Sequence, residues 1–442
     1  MKNNNIEKNH NIPGLRFPEF KNDGEWNLEP FGDVYSFKVT NSFSRENLNY
    51  VEGSVKNIHY GDIHTKFPTL FDITKEIVPY INHSLSIDKI RLECYCIEGD
   101  MIFADASEDL NDIGKCIEIC NLNDEKLVSG LHTLLARQKR PKFIVGFGGH
   151  LFLSNGIRTQ IQREAQGSKV LSISTGRLSN IGIYYPENKK EQQKIASCLS
   201  SLDALIAAES QKLDALKTHK RGLMQQLFPA EGETIPKLRF AEFRDSGEWK
   251  EMEFGEICKF TRGPFGGALK KEIFVNDGYA VYEQSHAIYE KFESFRYYIT
   301  EEKFNELKRF AVLPNDIIMS CSGTMGKFAI VPSESKIGVI NQALLKLTVK
   351  EGYHLKFIKA TLELPLNQEK LLSQSAGGAI KNVVSVDQIK EIELHIPCYE
   401  EQQKIASCLS SLDELIAAQS QKIEALKVHK KGLMQGLFPA MV

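Results

Sequence analysis

The thirteen residues EQQKIASCLSSLD occupy positions Glu191–Asp203 and recur unchanged at Glu401–Asp413. The match extends further, because residues 191–230 and 401–440 align without a gap and 33 of these 40 positions are identical. Six of the seven differences are mild or compatible with solvent, and the seventh sets Gln226 against Gly436. Self-similarity of this length indicates how the chain is divided, so it is the first feature to explain.

Each copy has the apolar spacing of a long helix that packs along one seam. Leucine and isoleucine recur at alternating intervals of four and three, and a proline at 229 or 439 ends the pattern. About 40 helical residues would span about 60 Å. The seam of the first copy is Ile195, Leu199, Leu202, Ile206, Glu209, Leu213, Leu216, Lys220, Leu223 and Leu227; that of the second is Ile405, Leu409, Leu412, Ile416, Gln419, Ile423, Leu426, Lys430, Leu433 and Leu437.

Two such helices in one chain can bury their seams against each other. The segment of about 170 residues between them allows either direction, and we favour an antiparallel coiled coil because it gives the chain a pseudo-twofold axis. A pairing centred on Glu209 sets it against Gln419, and one polar seam pair can fix the register. The alternative is a plain intramolecular bundle without functional meaning.

A second, shorter repeat precedes each half of the chain. PGLRFPEFKNDGEWNLEPFGDV begins at Pro13, and PKLRFAEFRDSGEWKEMEFGEI begins at Pro236. Between short repeat and helix repeat lie two variable segments with a common skeleton, in which Asp100 or Asp316 precedes one apolar strand and a Gly-Lys pair precedes the next. Short strands broken by turns, with helical stretches such as 355–373, predict α+β domains.

The predicted fold class is therefore α+β, with two globular domains separated by two long helices packed as an antiparallel coiled coil in a pseudo-twofold repeat. The predicted divisions are a disordered tail at 1–12, a first domain at 13–186, a first long helix at 187–228, a linker and second domain at 229–396, and a second long helix at 397–438.

Composition limits the function further. The chain has 55 Lys and Arg against 57 Asp and Glu, so any site for a polyanion must be a local patch. The polar start without a signal-peptide pattern and the nine scattered cysteines predict a cytoplasmic protein that does not enter membranes. Buried thiols are favoured over a metal site, and His59 and His64 are favoured as turn or surface histidines over a metal or acid–base pair.

The sequence contains no motif that indicates catalysis. There is no GxxxxGK[ST] phosphate loop, no glycine-rich dinucleotide fingerprint, no Asn/Asp-Pro-Pro-Tyr run and no serine elbow. We therefore predict no catalytic residue, metal or cofactor. The loops of the variable segments instead mix Arg, Lys, Gln, Asn, Ser, His and Tyr with glycine, which suits reading a DNA groove. For any one such residue the alternative is an ordinary solvated loop.

The chain resembles the DNA specificity subunits of type I restriction–modification systems. The resemblance covers nearly the whole chain and rests on LRFPEF…GEW…FGDV and LRFAEF…GEW…FGEI before the variable segments and on EQQKIASCLSSLD…GLMQQLFP and EQQKIASCLSSLD…GLMQGLFP after them. It implies two target-recognition domains, each reading one half of a split double-stranded DNA site. It also implies that the helices set the spacing and dock two methyltransferase subunits, and that restriction subunits join the complex.

The family pattern implies DNA contact at loop positions of both domains. The match is weaker in the first domain, where Val170 stands at the place of Lys381. In the second domain the positions are Arg262, Gln284, Ser285, His286, Ser322, Thr324, Lys327, Gly378, Lys381 and Asn382; in the first they are Lys56, Asn57, His59, Tyr60, Lys169 and Ser172.

Three other functions stay open at this point. A stand-alone tandem DNA-binding regulator should be more basic than this chain. A scaffold whose domains bind protein would show no salt-dependent affinity for DNA. An enzyme hidden in the domains would need a catalytic constellation that these residues do not supply.

Overall fold

The computed structural model describes residues 11–265, 267–373 and 386–440, which form two compact units. The first unit takes in residues up to Ser210 together with those from Gln421 onward, and the second comprises Gln211–Ser420. Each unit therefore contains half of each long helix. The predicted domain boundaries stay a prediction, and the predicted tail lies outside the described residues up to position 10.

The first unit is built on short strands with helices packed against them. Its strands are β1 (Asn27–Pro30), β2 (Tyr35–Lys38), β3 (Leu48–Asn49), β4 (Lys56–Ile58), β5 (Leu70–Asp72), β6 (Tyr80–Ile81), β7 (Met101–Ala104), β8 (Ala106–Ser107), β9 (Cys116–Asn121), β10 (Leu127–Ser129), β11 (Thr133–Gln138), β12 (Leu171–Ser172) and β13 (Gly182–Tyr185). Its helices are α1 (Phe31–Val34), α2 (Tyr60–Thr65), α3 (Phe147–Leu153), α4 (Asn155–Glu164), α5 (Thr175–Ser179) and the first half of α6 (Lys189–Leu227).

The second unit repeats this plan with fewer strands. Its strands are β14 (Lys250–Glu253), β15 (Cys258–Arg262), β16 (Tyr279–Tyr282), β17 (Tyr298–Ile299), β18 (Ala311–Val312), β19 (Ile317–Ser320), β20 (Phe328–Ile330), β21 (Gly338–Ile340), β22 (Leu344–Val349) and β23 (Glu393–Ile396). Its helices are α7 (Phe254–Ile257), α8 (Gln284–Tyr289), α9 (Glu301–Glu306), α10 (Leu355–Leu362), α11 (Pro365–Ser373), α12 (Val386–Lys390) and the first half of α13 (Tyr399–Leu437).

The sheets of the two units share one order. The first unit has sheets β2-β11-β7-β9-β5 and β10-β4-β6-β3, and the second has β15-β22-β19-β20 and β17-β16-β21-β18. The predicted skeleton is confirmed in both, because β7 pairs antiparallel with β9 as β19 does with β20. Gly114 and Gly326, from the two Gly-Lys pairs, have φ of 64° and 72°, a region that glycine adopts without strain.

The long helices contribute to the core of each unit. In the first unit Ile195 and Leu199 near the start of α6 join Phe438 after the end of α13 in one cluster of buried side chains. In the second unit Ile405 and Leu409 join Leu227 and Phe228 in the same way. The ends of the helix repeat are therefore held by hydrophobic burial, the main favourable term in folding.

The two long helices pack antiparallel, as predicted. In the first unit Asp203 pairs with Lys430 and Glu209 pairs with Lys422, so residue numbers rise along α6 as they fall along α13. In the second unit Lys220 pairs with Asp413 in the same sense. The proposed pair of Glu209 with Gln419 stays a prediction.

The predicted seam residues are buried or half-buried without exception. Leu205 and Leu415, which lie off the seam at equivalent places of the repeat, are 41% and 55% exposed. No helix within the described ranges is long and apolar enough to cross a membrane.

Candidate nucleic-acid interface

Each unit has a short helix that directly follows a strand of a parallel pair. Strand β4 runs parallel to β10 and leads into α2, and β16 runs parallel to β21 and leads into α8. Tyr60 and Gln284 are the first residues of these helices and hold equivalent places in the two units. Both were predicted as DNA contacts, but their equivalence was not visible in the sequence because the two segments share no residues there.

In the first unit Tyr60 lies among three histidines, and we call Tyr60, His59, His64 and His132 the first cluster. The ring centroid of Tyr60 is 4.7 Å from that of His59, 6.0 Å from His64 and 5.3 Å from His132. The Nδ1 of His59 accepts a hydrogen bond from the Gly61 amide, so its Nε2 is the nitrogen that carries a hydrogen in the neutral ring. Burial lowers the pKa of His59, which favours that neutral form.

The first cluster is joined to the loop that contains Lys169. His132 contacts the Asp105 carboxylate at 3.2 Å, and burial raises the pKa of Asp105. His64 contacts the carbonyl oxygen of Ala106 at 2.9 Å, and Ser172 is the strand partner of Ala106. The structure therefore brings Ser172, and the turn before it, to the same strand that the histidines contact.

Helix α2 is held by an ion-pair network that the sequence did not reveal. The wholly buried Asp62 carboxylate pairs with Arg45 at 2.7 Å and with Lys66 at 3.0 Å. Both cations also bond the Tyr50 hydroxyl, at 3.1 and 3.2 Å. Two cations on one carboxylate leave a net positive charge beside the first cluster, which suits a polyanion.

In the second unit Arg262 is the last residue of β15, and its charge is poorly satisfied. Its Nε and Nη1 are buried and have no hydrogen-bond partner among the described residues. The guanidinium lies beside the Cys321 thiol, whose pKa burial raises to about 11 while the cation opposes that rise. Buried donors without an acceptor are uncommon in folded proteins, and each calls for a physical reason.

Gln284 is in a similar position. Its Oε1 is buried and lacks a hydrogen-bond partner in the described part of the chain. Its Nε2 lies 3.7 Å from where a Cβ of Gly323 would stand, so the loop with Ser322 and Thr324 approaches this amide. We call Arg262, Gln284, Ser322 and Thr324 the second cluster.

Residues 90–218 and 246–428 match the family model of the type I restriction modification DNA specificity domain. The chain belongs to this family of type I restriction–modification specificity subunits. It is 23% identical over 434 residues to the MjaX type I restriction enzyme specificity subunit of Methanocaldococcus jannaschii, covering 95% of this chain and 94% of that one. It is 22% identical over 302 residues to the MjaVIII specificity subunit of the same organism, covering 66% of this chain and 70% of that one.

Two solved structures have the same fold. One is the crystal structure of the S subunit of a type I restriction–modification system from M. genitalium, with a TM-score of 0.57 and 15% identity over 98% of this chain and all of that one. The other is a chain from a study of complex assembly and conformational transition in a type I system, with a TM-score of 0.58 and 14% identity, covering 94% of this chain and 98% of that one.

Several predicted contact residues of this specificity subunit are not in loops, which corrects the sequence interpretation. Lys56 and Asn57 lie in β4; Lys56 pairs with Glu125 at 2.6 Å, and Asn57 has no exposed surface and accepts a hydrogen bond from Asn41. His286 is buried in α8, where its Nδ1 accepts a hydrogen bond from the amide of Glu283. Each is a polar residue in an apolar strand or helix, which a search for polar runs mistakes for surface.

The remaining predicted residues differ in where the structure places them. Ser285 is exposed on α8, and Lys169 is exposed in its loop. Lys327 lies at the other end of α8, where it lines a cavity of about 380 Å³ with Ala287 and Glu290. Gly378, Lys381 and Asn382 lie outside the described residues.

Sequence reasoning missed His132, Asp105, Arg45 and Lys66. No local motif marks them, because they reach the first cluster only through strand pairing and packing. Within residues 11–265, 267–373 and 386–440 there is no group of three or more His, Cys, Asp or Glu side chains placed to hold a metal ion.

Proposed function

We propose that this specificity subunit selects the DNA site of a type I restriction–modification complex, and that each unit reads one half of a bipartite, asymmetric duplex site. The observation that carries the proposal is a repeated frame with different clusters. The family match occurs twice, and the two units share one sheet order, yet one presents Tyr60 with histidines and the other presents Arg262 with Gln284. Two half-sites of unlike sequence require such a difference, because base edges are read by side-chain chemistry.

The chain contributes sequence choice and assembly, and the chemistry belongs to its partners. Methyltransferase subunits flip an adenine and transfer a methyl group from S-adenosylmethionine, and restriction subunits use ATP. The formal net charge of −2 fits this division, because a protein that shares phosphate contacts with partners needs no basic field of its own. A cytoplasmic location follows from this role.

The long helices set the distance between half-sites and dock two methyltransferase subunits. Their length supports the first part, because 39 helical residues measure about 58 Å. Exposed Leu205 and Leu415, at equivalent places of the repeat, support the second, because both copies offer the same apolar contact to a partner.

The deciding experiment is single-molecule sequencing of N6-methyladenine in DNA from cells that express this chain with its methyltransferase subunit, beside cells that lack the chain. We expect a split motif with one methylated adenine in each half, present only with the chain. Absence of any motif, while the same methyltransferase is active with another specificity subunit, would contradict the proposal.

Exchange of one variable segment tests the modular part separately. Replacing residues 27–186 with the corresponding segment of another family member should change one half of the methylated motif and leave the other half intact. Alteration of both halves would mean that the units do not read independently.

A further inference from the structure

Phe265 stands in the loop after β15 with an exposed ring, although the chain on either side of it is anchored. The ring is 64% exposed. Before it, the Gly263 amide bonds the Leu344 carbonyl, and a Cβ on Gly263 would lie only 1.9 Å from the Asn341 carbonyl oxygen. After it, Ala268 and Leu269 pack on buried apolar side chains.

The ring also leaves space unused beneath its own loop. A cavity of about 260 Å³ lies there, lined partly by Pro264, Leu269 and Phe274, and Phe265 is not part of its lining. A single exposed apolar side chain is ordinary on a protein surface. Exposure of the ring alone therefore identifies no binding site.

Arg262 distinguishes this ring from an ordinary exposed side chain. Its guanidinium carbon lies 5.9 Å from the Phe265 ring centroid, and its Nε and Nη1 are the buried donors without an acceptor described above. No carboxylate forms a salt bridge with it within the described ranges. A cation without an acceptor beside an uncovered ring is a surface that lacks its complement.

We infer that Arg262 and Phe265 together read a guanine and a neighbouring thymine in the half-site of the second unit. The guanidinium donates to O6 and N7 of the guanine, which is the commonest specific contact to a base, and the ring packs on the C5-methyl group of the thymine. Adjacent bases are about 3.4 Å apart along a strand, so a separation of 5.9 Å between cation and ring suits neighbouring base pairs. This inference rests on the proposed function and names the chemistry of one of its sites.

The test uses the assembled complex of this chain and its methyltransferase, after the methylated motif has been mapped. Synthetic duplexes carry the motif, the motif with one guanine changed, or the motif with deoxyuridine for thymine, and binding is measured at one salt concentration. Arg262→Lys keeps the charge and removes the planar fork, so discrimination for one guanine should fall by about 5- to 150-fold.

Phe265→Ala should act on the thymine alone. Wild-type protein should prefer thymine to deoxyuridine by about 4-fold at the neighbouring position, the value of one buried methyl group, and the variant should show no preference. Arg309→Lys is the matched control, because exposed Arg309 lies 6.0 Å from the Phe310 ring in the same unit and should leave both preferences unchanged.

Three results would overturn the inference. Uniform weakening on every duplex would make Arg262 a phosphate contact. Reduced capture of the methyltransferase with normal base discrimination would make the pair a protein contact. Unchanged discrimination in both variants would leave the pair without a role in reading DNA. The half-site of the first unit reports that each variant is folded, whereas a wild-type complex without any motif would contradict the proposed function instead.

Discussion

At the scale of single residues, two buried groups in the first unit titrate in opposite directions. Glu118 accepts a hydrogen bond from the Gly149 amide at 2.6 Å, and burial raises its pKa to about 7. His150, on the same helix as Gly149, contacts the Ser200 hydroxyl at 3.1 Å, and burial lowers its pKa to about 4. Each shift is set by loss of solvation of the charged form.

The two shifts have opposite effects on stability. Folded Glu118 keeps a proton that the unfolded chain loses, so its contribution to stability falls as pH rises from about 4.5 to about 7. Folded His150 resists a proton that the unfolded chain takes up, so its contribution falls as pH drops from about 6.5 to about 4. Between about pH 4.5 and 6.5 the two effects offset each other.

Glu118→Gln should therefore unmask the histidine. We expect the variant to be more stable than wild type at pH 7.5 by about 1–3 kcal/mol, because it removes a buried charge and retains an acceptor for Gly149. Its stability should rise between pH 4.5 and 6.5, whereas that of His150→Gln should fall.

The measurement is urea unfolding followed by tryptophan fluorescence. Trp26 belongs to the core of the first unit and Trp249 to that of the second, so a Trp249→Phe background reports the first unit alone. Exposed Glu108, changed to Gln, is the control. Parallel pH profiles for wild type and both variants would refute this account.

At the scale of elements, one ion pair recurs in both units. Arg16 of the short repeat bonds Glu191 of α6 through two nitrogens at 2.7 Å each, and the side chains are 7% and 1% exposed. Arg239 and Glu401 form the same pair in the second unit, with the same distances. The short repeat thus fixes the start of a long helix, which explains why the two repeats occur together.

Breaking this pair should be costly, and removing it whole should be less so. Arg16→Met leaves Glu191 buried without its partner, so we expect a loss of about 3–5 kcal/mol in unfolding free energy. The double variant Arg16→Met with Glu191→Met should recover much of that loss. Lys194→Met breaks an exposed pair with Glu19 and should cost about 1 kcal/mol or less. Additive effects of the two buried changes would show that they do not act as a pair.

At the scale of the whole molecule, the proposal is that helix length fixes the spacing of half-sites. Seven residues inserted after Ser210 and seven after Ser420 keep the heptad seam on both helices and lengthen each by about 10.5 Å. We expect the spacer of the methylated motif to grow by about three base pairs, the same length of duplex. Both half-sites should keep their sequence, and a spacer of unchanged length would refute the ruler.

Much of the architecture could be predicted from the sequence. The seam, the antiparallel pairing and the shared strand skeleton were predicted because periodicity and repetition are local properties of the chain. The candidate site could be predicted only in part. Arg262 and Gln284 were found from residue type, whereas Asn57 and His286 proved to be buried. Polarity alone does not distinguish a residue that faces DNA from one that satisfies the fold.

By itself, the sequence determined the duplicated plan of this protein, its α+β class and its family, because each depends on motifs contiguous in the chain. Only the tertiary structure decided which side chains meet. His132 reaches Tyr60, and the Arg262 guanidinium is left without an acceptor beside Phe265, through strand pairing between segments far apart in sequence. The physical reason is that heptads and turns act over a few residues, whereas a binding surface is made where separate strands end together.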